Sequence, residues 1–197
     1  TATSDNSGAK ELWRGPWAGI SRTNWILTNI DKSPKISDAK KTQYKGEAHF
    51  LRGLYYFNLV RLFGDVPWID KQQTASDDLQ VSRTSKDIVY QHIIDDFSDA
   101  ASMLPAVYEN TTDIGRATKG AAFGLLAKVY LTLKRYNETL VAIDSVMNLG
   151  VYSLNRKYEW NFSDLRENGP ESLFEVQYEK DVTAYSEFDI LGQGGWH

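Results

Sequence analysis

A chain of 197 residues, 42% apolar and 24% charged, has the balance of a globular protein. It holds no apolar run near the roughly 20 residues that a membrane-crossing helix needs. With 22 basic and 26 acidic side chains the net charge is −4, so the counterion-release attraction behind nucleic-acid binding is weak and no nucleic-acid partner is expected. No cysteine is present, which excludes a disulfide framework, a thiolate metal site and a cysteine nucleophile.

The first helical stretch runs from about Glu11 to Asp31, with Leu12, Trp13, Trp17, Ile20, Leu27 and Ile30 at mostly helical spacing. Ser33-Pro34 breaks it. The second, about Asp38 to Phe63, is the clearest. Its polar residues Glu47, Asn58 and Arg61 fall on one stripe and His49 and Arg52 on nearly the opposite one. The two apolar faces left between them predict a helix packed on both sides. Gly64-Asp65-Val66-Pro67 ends it, because glycine accepts the left-handed cap and proline cannot continue a helix.

A polar loop, Lys71 to Arg83, follows, with Asp77 and Asp78 read as solvated charge. Thr84 or Ser85 caps a third helix lined by Val89, Ile93, Phe97, Ala100 and Leu104 and stopped by Pro105. Asp95, Asp96 and Asp99 are expected to point away from that face. A fourth helix, about Ala117 to Leu133, carries Gly120 and Gly124 one turn apart, which predicts close approach of a neighbouring helix. A short turn at Lys134-Arg135 leads into a fifth, about Tyr136 to Leu149, whose stripe is Leu140, Ile143 and Met147 and whose cap is Gly150. The last two helices span close to the roughly 34-residue period of tetratricopeptide repeats. Beyond them, Ser172 to Tyr178 alternates apolar and polar residues and reads as a strand. The expected fold is therefore mainly all-α: a tetratricopeptide-like helical repeat array with a short strand region near the carboxy-terminal end.

Several blocks resemble one family. Glu47-Ala48-His49-Phe50-Leu51-Arg52-Gly53-Leu54-Tyr55-Tyr56-Phe57, continued through Arg61-Leu62-Phe63-Gly64-Asp65-Val66-Pro67, is similar to a characteristic helix of the SusD/RagB family. These are nutrient-binding lipoproteins on the outer membrane of Bacteroidetes. Leu12-Trp13 through Trp17, Ile20 and Asn24 resembles an earlier family helix. Gly115-Arg116-Ala117-Thr118-Lys119-Gly120-Ala121-Ala122 resembles the entry to a later repeat helix, and Glu171 to Tyr178 the strand that follows the repeats. The resemblance implies a surface receptor that captures oligosaccharides and passes them to a SusC-like TonB-dependent outer-membrane transporter. It also implies membrane attachment through a lipid anchor absent from these 197 residues. On this reading residues 1–197 are a single SusD-like helical-repeat domain, an interior piece of the amino-terminal half that is truncated at both ends.

Candidate chemistry is sparse. His49, His92 and His197 are widely spaced, lack a zinc-type pairing and read as packing or surface residues. Asp95 and Asp96, adjacent on a helix, point about 100° apart and cannot flank one glycosidic bond, so they read as a solvated face. Gly192-Gln193-Gly194-Gly195 lacks the strand, helix and lysine of a phosphate loop. Neither catalysis nor a cofactor or metal is expected. Glu47 and Arg52 are read as structural anchors for loops and helix ends. Trp13 and Trp17 are expected in the core. Tyr185 and Trp196, in the polar tail, are candidates for stacking on sugar rings. Asp5 and Asn6 precede the first helix where, by the resemblance, the family brings a ligand loop. The alternative function is a tetratricopeptide-type protein-interaction scaffold that binds peptides in a concave groove.

Overall fold

The computed structural model describes residues 7–77 and 80–177. Among them are α1 (Ser7–Asn29), α2 (Asp38–Phe63), α3 (Lys86–Met103), α4 (Lys119–Thr132) and α5 (Tyr136–Met147). Short 3-10 turns occur at Ile30–Lys32, Thr111–Asp113, Tyr158–Phe162 and Asp164–Arg166. Each α-helix packs on its predecessor in the chain. This is the stacking expected of a helical repeat array.

Local chemistry sets the helix ends. The Ser37 side chain accepts from the Lys40 backbone N–H and opens α2, and Gly64, at φ +71°, closes it by donating its N–H to Val60 O. The Thr118 side chain accepts from the Ala121 N–H at 3.1 Å and opens α4. Between α4 and α5 Lys134 adopts φ +58°, a left-handed turn that sequence patterning does not signal. Pro16 lies inside α1 and withholds one helical hydrogen bond there.

The core is centred on α2 and α3. Phe50, Tyr56, Phe57 and Leu59 meet Val89, Ile93 and Phe97, with Ile20 closing the side toward α1 and Ala121, Ala122 and Val129 the side toward α4. Gly53 makes the α2–α3 approach possible: a β-carbon there would stand 3.1 Å from the Phe97 ring. The two apolar faces of α2 thus serve two neighbours, α1 and α3.

Four expectations need correction. Residues 172–177 form no strand; among the described residues β-type pairing is confined to the isolated bridge between Val66 and Thr84. A strand needs a partner for its N–H and C=O groups, and among the described residues none is paired with this segment. Instead it lies over the helices, with the Phe174 ring edge-on to Phe50 at 4.9 Å, while Val176 is exposed. Tyr178 lies outside the described residues.

The α5 stripe is also different. Leu140, Ile143 and Met147 are 61%, 44% and 66% exposed, and the buried residues are Thr139, Ala142 and Val146. Small side chains let α5 lie close to α4 and turn its larger apolar residues outward. At Gly120 and Gly124 the close neighbours are not a helix but the side chains of Tyr152 and Leu173. Lastly, Asp96 is buried, only 2% exposed, because Arg52 faces it across the α2–α3 contact.

Candidate functional site

Asp5, Asn6, Tyr185 and Trp196 lie outside the described residues, as does His197. What the described fold builds is a rigid frame and, beside it, two hollows.

The frame is centred on Arg52, whose buried guanidinium reaches three elements. Its Nε and Nη2 donate to the two Asp96 carboxylate oxygens at 2.9 and 2.7 Å, a bidentate pair. Its Nη1 donates to Asn24 Oδ1 at 3.0 Å and to the Asp70 carbonyl at 3.1 Å. Asn24 Nδ2 donates in turn to the Ile69 carbonyl at 2.7 Å. The Tyr56 hydroxyl accepts from Ile69 N–H and donates to Ile69 O, and burial pushes its phenol above the ordinary range. His49 Nδ1 lies 2.7 Å from Asp96 Oδ1, and His92 stacks on Trp68 at 4.4 Å. Both histidines are packing residues, as their spacing suggested. The turn after α2 is thereby tied to α1, α2 and α3 at once.

Glu47 makes a second, more exposed node. Arg116 Nη1 pairs with Glu47 Oε2 at 2.7 Å, and the Tyr108 hydroxyl donates to Glu47 Oε1 at 3.2 Å and to Ala117 O at 2.9 Å. Burial, reinforced by the Glu47 charge, pushes the Tyr108 phenol up. Glu47 and Arg52 are the structural anchors that their positions on α2 suggested. Asp96 and Asn24 were missed. Asp96 had a signal available: a buried Arg52 on an otherwise apolar helix requires an acidic partner.

The hollows flank the segment 168–175 as it crosses the helices. One, of about 490 Å³, has a floor of Leu54, Leu125 and Phe174 and walls carrying Lys128, Asn155 and Glu171. Glu171 Oε2 accepts from the Asn155 N–H at 2.9 Å, and the Arg166 guanidinium covers the Trp160 ring at 3.7 Å. The other, of about 280 Å³, lies between Tyr108, Arg116, Tyr152 and Phe174. An apolar floor with a few amide and charged groups on the rim suits binding of a polyhydroxylated ligand. Among the described residues no group of three or more His, Asp and Glu side chains is placed to hold a metal, and no helix is long and apolar enough to cross a membrane.

Residues 1–131 match a family model described as SusD-like, starch-binding associating with outer membrane. The chain belongs to the SusD-like family. A SusD-like protein of Bacteroides ovatus is 31% identical over 193 residues, covering 90% of this chain and 34% of the relative. A SusD-like crystal structure from Bacteroides fragilis matches at a TM-score of 0.83 and 32% identity, over 92% of this chain and 36% of that one. A laminarin-binding SusD-like protein matches at 0.76 and 29% identity, over 84% and 37%. The chain spans about a third of the length of the curated relatives it matches. The SusD-like family is one of glycan-binding proteins of the outer membrane, not of enzymes.

Proposed function

We propose that this SusD-like chain serves glycan capture at the cell surface: it holds an oligosaccharide and delivers it to a SusC-like TonB-dependent transporter. Residues 1–197 act as one helical-repeat domain of a surface-exposed lipoprotein. Asp5, Asn6, Tyr185 and Trp196 contribute to the sugar site, the aromatic rings by stacking on pyranose C–H faces and the polar pair by bonding hydroxyls. The observation that carries the reading is the likeness, at 29% identity over 84% of this chain, to a protein whose own ligand is laminarin. A relative that covers 68% of this chain is the starch-binding SusD of Bacteroides thetaiotaomicron, which supports the same ligand class.

The frame around Arg52 fits a receptor more than a catalyst. Its charged groups are consumed in holding the turn after α2, so they stiffen a platform and leave no free acid–base pair. Affinity capture from detergent-solubilised outer membranes is the test. Recovery of a TonB-dependent transporter together with this protein is the expected result. Recovery of cytoplasmic proteins alone would move the reading to a tetratricopeptide scaffold.

A further inference from the structure

Within the described fold most tryptophans are covered. Trp13 and Trp17 meet edge-on at 5.4 Å and continue into Phe63 and Tyr56. Trp68 contacts Tyr56 and His92, and Trp160 lies under Arg166. Trp25 differs. It projects from the outer side of α1, is 56% exposed, and among the described residues has neither an aromatic neighbour nor a cation over its ring. An indole left in water forgoes the burial that the others obtain, so its surroundings matter.

Those surroundings are fixed and polar. Asn29 Nδ2 donates both to the Trp25 carbonyl at 2.9 Å and to Gln72 Oε1 at 2.8 Å. The Gln72 N–H donates to Thr28 Oγ1 at 3.3 Å, so the end of α1 and the loop after α2 are bound together beside the ring. A helical side chain leans toward the turn before it, which here holds Ser21 and Arg22. Both are exposed, and among the described residues Arg22 forms no ion pair. A flat ring, an exposed guanidinium and a hydroxyl thus share one face of α1.

We infer that Trp25, with Ser21 and Arg22, is an accessory glycan-binding platform on α1. A pyranose ring lays its apolar C–H face on the indole, and its hydroxyls accept from Arg22 and exchange hydrogen bonds with Ser21. The ligand class is a neutral glucan oligosaccharide. The class rests on the glycan-capture reading above; the place does not, since every residue of the platform lies on α1.

The test is an NMR titration of the 197-residue chain, labelled with 15N, using maltohexaose and laminarihexaose separately. The indole N–H signal of Trp25, assigned by its loss in Trp25→Phe, is expected to shift with one or both sugars. Trp25→Ala is expected to weaken that binding about fivefold or more, with an unchanged melting midpoint. Arg22→Gln is expected to weaken it less. Shifts that appear elsewhere and survive Trp25→Ala would overturn the platform and leave glycan capture standing. No shift with either sugar would overturn the platform as well, because nothing it needs lies outside α1. Loss of glycan binding by the natural protein purified from outer membranes would instead overturn the capture reading.

Discussion

The α2–α3 interior and the α5 surface are built from similar residues and come out opposite. On α3, Val89, Ile93 and Phe97 recur at helical spacing and are fully buried against α2. On α5, Leu140, Ile143 and Met147 also recur at helical spacing, yet all three face outward. Leu154, Tyr158, Phe162 and Leu165, in the segment that follows, are exposed too. The difference teaches that periodicity reports which face of a helix is apolar and leaves open whether a neighbour covers it. Contacts with a partner helix decide the second question. For α5 the partner is α4, and it selects Ala142 and Val146, the side that allows the closer approach.

If the contrast is real, substitutions in the two regions should differ by several kcal/mol. The largest effect is expected at the Arg52–Asp96 pair. Asp96→Ala leaves a buried guanidinium without its bidentate partner and frees the His49 ring as well. Breaking such a pair from one side costs about 3–5 kcal/mol. Denaturant melts of the 197-residue chain should show it as a fall in the transition midpoint. The double variant Arg52→Met with Asp96→Leu should recover a good part of the loss, since well-packed apolar replacements remove the uncompensated charge. A single variant with an unchanged midpoint would mean the frame around Arg52 is not buried.

The next contrast sets two glycines against each other. At Gly53 an added side chain meets the Phe97 ring, which is locked in the core. At Gly124 it meets Leu173 Cδ1 at 2.6 Å, the far end of a side chain on the overlying segment. Gly53→Leu should therefore cost at least the upper part of the roughly 1–3 kcal/mol typical of overpacking. Gly124→Leu should stay near the lower end, because Leu173 can swing away and replacing a helical glycine returns about 1 kcal/mol. Equal losses at the two positions would show the 168–175 segment to be as firmly seated as α3.

Much of the fold was legible in the sequence, and the parts that were not share a cause. The end of α2 followed from Gly64 and Pro67, which act through local backbone geometry. Glu47 and Arg52 stood out as polar residues on an apolar helix and proved to be anchors. Asp96 was hidden because Asp95 and Asp99, its neighbours, are solvated, and one buried aspartate in an acidic run has no local mark. Alternation at Ser172 to Tyr178 suggested a strand, but a strand is a pairing, and no partner strand lies among the described residues. The misses are long-range facts, set by which element lies opposite.

The smallest effect is expected on α5, and it is the sharpest check on the comparison. Leu140→Gln and Met147→Gln keep good helix-forming residues in place, so helix propensity changes little. Each side chain is already more than half in water, so little buried apolar area is lost. Each variant of the 197-residue chain should therefore stay within about 0.5 kcal/mol of the parent, the range of ordinary surface substitutions. Phe97→Ala, on the equivalent stripe of α3, should cost about 3–5 kcal/mol in the same denaturant melt. The ratio matters more than either value, because both helices carry an apolar stripe at helical spacing. A loss of about 2 kcal/mol or more at Leu140 would mean that something covers the α5 face in solution. Concentration dependence of the melt then separates the sources: a second copy of the chain gives a midpoint that rises with protein concentration, and a contact within one chain gives none.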